Sequence, residues 1–122
     1  MAIVRIFLSL CNELFSFTGR PSIHIAPTNA DLVGGQSHTI TCSVSSILGV
    51  TDVTWIKTTA SYDTIINVCE DGKFSGGTLS DPSLTINNIV KSDEGTYMCR
   101  ATNFFGTASS KDSVLTCKGQ FL

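Results

Sequence analysis

The chain has 122 residues, enough for one domain with a core of its own. Its net charge of −2 and its lack of any basic run argue against nucleic acid and anionic membranes as partners. Charged residues at 15% and hydrophobic ones at 42% suit a packed β domain and exclude a disordered chain.

Met1 to Gly19 is apolar but broken by Asn12 and Glu13. It reads either as a weak secretory signal or as a fragment boundary, and it is too short and interrupted to span a bilayer. The domain is expected over 20–118, with 119–122 as the start of a linker. Pro21 suits the start of an edge strand, where a missing N–H costs no ladder bond. Ser22 to Ile25 is a first strand; Pro27 breaks it and Asp31 to Val33 continues it, offset. Gly34-Gly35 is a turn.

From Ser37 to Val44 the residues alternate, with His38, Ile40, Cys42 and Val44 on one face. Ser45 to Asp52 is a loop whose Ile47, Leu48 and Val50 serve either as a contact surface or as a plug over the end of the sheets. Val53, Trp55 and Lys57 then share one face, Thr54 and Ile56 the other. A strand over Ser61 to Val68 is followed by Cys69. A short strand at Lys73-Phe74-Ser75 lies between the turns Asp71-Gly72 and Gly76-Gly77. Pro82 to Ile89 directs Leu84, Ile86 and Ile89 to the core. After the polar corner Lys91-Ser92-Asp93-Glu94, the strand from Gly95 to Thr102 points Tyr97, Cys99 and Ala101 inward and Met98, Arg100 and Thr102 outward. Asn103 to Gly106 is a turn, with Gly106 supplying a positive φ, and a last strand runs out through Val114, Leu115, Thr116 and Cys117.

Cys42, then Trp55, then Asp93-Glu94-Gly95-Thr96-Tyr97-Met98-Cys99 together resemble the signature of the immunoglobulin superfamily. Lys73-Phe74-Ser75-Gly76-Gly77-Thr78-Leu79, Ser83 to Ile86, and Ala101-Thr102-Asn103 with Gly106 resemble its intermediate set. The resemblance implies an all-β, two-sheet Greek-key sandwich with one inter-sheet disulfide, Cys42–Cys99, against which Trp55 packs. It implies Leu84 in the core, and a corner at Asp93, Gly95 and Tyr97. There the Tyr97 hydroxyl reaches backbone near Asp93, and Lys73 is the basic residue best placed to meet Asp93.

Five cysteines make an odd count, which leaves a thiol free or paired between chains. No two have the close spacing of zinc ligands, so no metal site is expected. This cysteine usage favours an extracellular setting, secreted or as the ectodomain of a membrane protein. A Cys69–Cys117 bridge is not expected, because the fold places the two at different ends. Cys117 reads as a small buried hydrophobe, and Cys69 as the candidate interchain or reactive thiol. There is no ordinary Asn-x-Ser/Thr acceptor; Asn67-Val68-Cys69 is its rare cysteine variant.

Catalysis finds no support. His24 and His38 lie on separate strands, and neither a Ser/His/Asp nor a Cys/His arrangement is suggested. No phosphate-cradling glycine loop is present, and no cofactor is expected. The leading reading is a non-enzymatic adhesion or innate immune module that binds a protein partner, another copy included, with a homodimer among the arrangements left open. Two surfaces are candidates. One is the outward face carrying Thr54, Ile56, Met98, Arg100 and Thr102; the other is the loop end carrying Leu48, Phe104 and Phe105. The alternative is a structural spacer domain of a larger filament or receptor.

Overall fold

Alternation of apolar and polar residues sets both the positions of the strands and the face each one buries. The computed structural model describes residues 19–69 and 72–118. Its strands are β1 (Ser22–Ala26), β2 (Asn29–Val33), β3 (His38–Ser45), β4 (Asp52–Thr58), β5 (Asp63–Ile65), β6 (Phe74–Gly76), β7 (Leu84–Ile86), β8 (Gly95–Asn103), β9 (Gly106–Ser109) and β10 (Ser113–Lys118), with a 3₁₀ turn at Lys91–Asp93. One sheet runs β1-β3-β7-β6; the other runs β2-β10-β8-β4-β5, with β9 also pairing to β8. This is a two-sheet sandwich. The N-terminal stretch before Gly19 lies outside the described residues.

The divided first strand joins the two sheets. β1 pairs antiparallel with β3, whereas β2 pairs parallel with β10. Pro27 stands between them after a cis peptide bond, and it cannot donate to either ladder. Ser113 Oγ donates to Pro27 O at 2.7 Å, and Val114 N to Thr28 O at 2.9 Å. The crossover is thus held to β10, and Ser113 is fully buried.

Three strands differ from expectation. The Ser61–Val68 strand contracts to Asp63–Ile65. One further ladder bond follows, Ile66 N to Trp55 O, and then Asn67 Oδ1 accepts the Cys69 N–H at 3.0 Å and turns the chain away. The Pro82–Ile89 strand contracts to Leu84–Ile86. Ser83 Oγ, not a backbone carbonyl, takes the Cys42 N–H, and Asn88 adopts a positive φ of 49°. The last strand divides in two because the backbone bulges at Ser110, whose hydroxyl accepts the Cys99 N–H at 2.9 Å.

The core lies between the sheets. Ile25, Leu32 and Ile40 meet Val53, Trp55, Leu84, Ile86, Ile89, Tyr97, Ala101 and Leu115 there, with Cys42 and Cys99. His38 sits at the start of β3, half-buried, and its Nε2 has no hydrogen-bond partner. Burial holds its pKa below the ordinary 6.5. Below that value the unfolded chain therefore binds more protons than the folded one. The contribution is full above about pH 6.5 and declines as pH falls through the lower folded-state value. Denaturant titrations at about pH 7.5 and about pH 5.5 should show an acid loss that His38→Gln reduces. An undiminished loss in the variant would assign the effect to other groups.

Candidate recognition surface

The signature residues form a corner beneath β8. Asp93 is 5% exposed and accepts from Lys73 Nζ at 2.7 Å and from Val90 N at 2.7 Å. Tyr97, fully buried, donates its hydroxyl proton to Asp93 O at 2.6 Å. Lys57 continues the inward face of β4. Its ammonium lies 5.7 Å from the centre of the Tyr97 ring and donates to Ser92 O, and burial lowers its pKa. Gly95 passes close beneath this lysine. A Cβ there would come within 3.0 Å of Lys57 Cε and 3.1 Å of Thr58 O, so a side chain would force the corner open. The side chains of Lys57, Lys73, Asp93 and Tyr97 are all engaged inside the domain, which makes the corner a folding device.

Cys42 and Cys99 face each other across the core with their sulfurs 3.4 Å apart. The two sulfurs are in contact, one from each sheet, at the positions expected to be bridged. Contact with Cys42 and burial both push the Cys99 thiol up. Trp55 is 1% exposed in the same cluster, its indole N–H donating to Pro82 O at 2.8 Å. Cys69 is exposed and Cys117 half-buried against the core, its sulfur 3.6 Å from Val90 O.

The outward face of the larger sheet differs from expectation at one position. Ile56 points away from the core cluster but is only 5% exposed. It lies on an inner strand of the sheet, in register with Ile65 on one side and Met98 on the other. Flanking side chains of that length cover it. Thr54, Met98 and Thr102 are partly buried, and Arg100 is exposed. The exposed apolar group of this rung is therefore Ile65, 69% exposed.

The loop end is more open. Val50 packs against the core and plugs the end of the sandwich, while Ile47 and Leu48 stay outside at 60% and 37% exposure. Asn103 is 4% exposed at the end of β8. Its Nδ2 donates to Gly19 O and to Ser46 Oγ, each at 2.8 Å, and its Oδ1 accepts from Phe105 N at 2.8 Å. One buried amide thus ties the chain before β1, the β3–β4 loop and the β8–β9 turn together. The turn holds Phe104 outward at 87% exposure, with Phe105 edge-on beneath it at 6.0 Å.

A family model described as an immunoglobulin domain matches residues 20–103. The chain belongs to the immunoglobulin family. Among similar proteins, Basigin of Cricetulus griseus is 35% identical over 103 residues, covering 82% of this chain and 40% of that protein. Cell adhesion molecule 1 of Mus musculus is 31% identical over 94 residues, 75% of this chain and 18% of that protein. Contactin-4 of Rattus norvegicus is 57% identical over 35 residues, 29% and 3% of the two chains. The chain spans less than half the length of each.

Within this immunoglobulin domain, sequence reasoning missed three buried polar side chains, those of Asn103, Ser110 and Ser113. A signal existed for two of them. Asn103 continues the inward period of Tyr97, Cys99 and Ala101, and Ser113 precedes Leu115 by one period. Among the described residues no group of three or more His, Cys, Asp or Glu side chains could hold a metal ion, and no helix is long and apolar enough to cross a membrane.

Proposed function

We propose that this immunoglobulin domain is an extracellular, non-enzymatic recognition module of the adhesion kind, and that it meets a protein partner first through its loop end. The observation that carries the reading is Phe104. It is 87% exposed, yet it stands on a turn fixed by the Asn103 side chain, which accepts the N–H of the next residue, Phe105. Ile47 and Leu48 extend the apolar surface on a loop tied to the same amide. An exposed aromatic on a fixed turn, with aliphatic groups on the loop tied to it, is a low-entropy contact element. Arg100, Thr102 and Thr107 adjoin it along β8 and β9 and would supply a polar rim. The name of Cell adhesion molecule 1 supports adhesion over an innate immune role.

Replacing Phe104 and Ile47 together by Asp should abolish binding to cells or to a second copy while leaving the free energy of unfolding within about 1 kcal/mol of the parent, about 0.5 kcal/mol for each exposed site. Sedimentation of the purified domain separates self-association from binding to another protein. Unchanged association on both counts would exclude the loop end and leave the outward face to be tested through Ile65→Asp. Ile56→Asp is unsuitable there, because it would bury a charge.

A further inference from the structure

We propose that Asn67 carries an N-linked glycan, accepted through the Asn67-Val68-Cys69 form of the acceptor tripeptide, and that this glycan guards the open edge of β5. The proposal rests on the extracellular reading only for passage through the secretory pathway.

The usual acceptor places a hydroxyl two residues after the asparagine, with any residue but proline between. A cysteine thiol also sits on Cβ and is both a donor and an acceptor, though a weak one. Val68 satisfies the middle position. The geometry separates Asn67 from other asparagines of the domain. Asn103 Nδ2 is buried and committed to Gly19 O and Ser46 Oγ, and Asn87 Nδ2 is committed to Gly72 O and Ser75 Oγ. Asn67 is exposed and its oxygen is engaged by the Cys69 N–H; among the described residues no hydrogen bond holds its Nδ2. Cys69 is exposed with a free thiol. In the transfer, the bond from sugar C1 to the diphosphate of a polyprenyl-linked oligosaccharide breaks. A C1–Nδ2 bond forms, the amide loses one proton, and the lipid diphosphate leaves with the electron pair. The thiol keeps its oxidation state.

The position supplies the reason for a glycan. Among the described residues, β5 ends the six-stranded sheet and pairs only with β4. Its three residues are few and include the charged Asp63, but they carry no lysine, proline or bulge, so the edge is only partly defended against pairing with another chain. Tyr62 just before it and Ile65 at its end are 67% and 69% exposed. Asn67 lines a groove of about 400 Å³ together with Tyr62, Thr64 and Ile65. A hydrated oligosaccharide at that rim would block strand addition.

The test expresses the full chain behind a heterologous secretion leader in mammalian cells, with Asn67→Gln, Cys69→Ala and Cys69→Thr beside it. Secreted parent protein should show one glycosidase-sensitive mass shift mapping to Asn67. The shift should be lost in Asn67→Gln and Cys69→Ala, and occupancy should rise in Cys69→Thr. Asn67→Gln should elute as a larger species, and adding Ile65→Lys should restore the parent's elution. A parent without glycan overturns the site, whether or not Cys69→Thr is modified. A glycan whose loss leaves elution unchanged overturns the guarding role. Secreted, glycosylated protein that binds neither cells nor itself would defeat the recognition reading and leave the site standing.

Discussion

Replacing both Cys42 and Cys99 by alanine is expected to lower the stability of protein made in a secretory host by about 4 kcal/mol, the chain-entropy value for closing a loop of this size. The two residues are 57 apart in sequence and their thiols touch across the core. They lie on β3 and β8, one in each sheet. A bond between them would fix the two sheets to each other in the unfolded chain as well as the folded one. Against a net stability of roughly 5–15 kcal/mol, its loss would leave a domain near the threshold of unfolding. Denaturant titration of the parent and the double variant reads the difference directly, and disulfide mapping supplies the control. A bridge mapped at Cys42–Cys99 with a loss near the stated size agrees with an extracellular domain. Free thiols at both positions in a stable folded protein, with a loss of only about 1 kcal/mol, would instead favour the spacer reading. Their sole role would then be to fill space beside Trp55.

The legible parts of this fold were those written in period and punctuation. Pro27 between two short apolar runs marked the division of the first strand, and the two halves do enter different sheets. Period two along β4 and β8 gave the facing of Trp55, Tyr97 and Cys99, and their burial follows. What period cannot give is depth. Ile56 and Ile65 share one outward rung, yet Ile56 is covered from both sides and Ile65 only from one, because β5 has no further neighbour among the described residues. Strand order decides that difference, and strand order is a long-range property. The contracted strands failed for another reason. Ser83 and Ser110 each place a hydroxyl where a ladder carbonyl would be, and Asn67 closes a local turn onto the Cys69 N–H, so each ends or bends its strand. Serines and asparagines are common enough that such substitution is visible only once the partner N–H is in place. The loop end was legible as a location, since Phe104 and Phe105 are conspicuous, but Asn103 was read as a turn residue alone. Its buried amide is what makes the turn a fixed surface.

Trp55→Ala should destabilise the domain by about 3–5 kcal/mol, as expected for deletion of a buried aromatic. Trp55 is 1% exposed and is the largest fully buried side chain among the described residues. Its removal opens a cavity beside Cys42, Cys99 and Leu84 and leaves Pro82 O without the indole N–H it accepts at 2.8 Å. A Cβ built on Gly77 would lie 3.2 Å from the Trp55 ring, so the turn after β6 is shaped against the indole as well. Trp55→Phe keeps much of the volume but loses the hydrogen bond. The part of the loss owed to the unpaired carbonyl should therefore persist, at about 1–3 kcal/mol. Because Trp55 and the cysteine pair belong to one packed cluster, the two sets of substitutions should not add. A double-mutant cycle between Trp55→Phe and the double cysteine variant should give a coupling of about 0.5–3 kcal/mol, the range for residues in contact. Strict additivity would mean that the tryptophan and the sulfurs stabilise the sandwich independently. The contact between Trp55 and the cysteine pair would then carry no stability of its own.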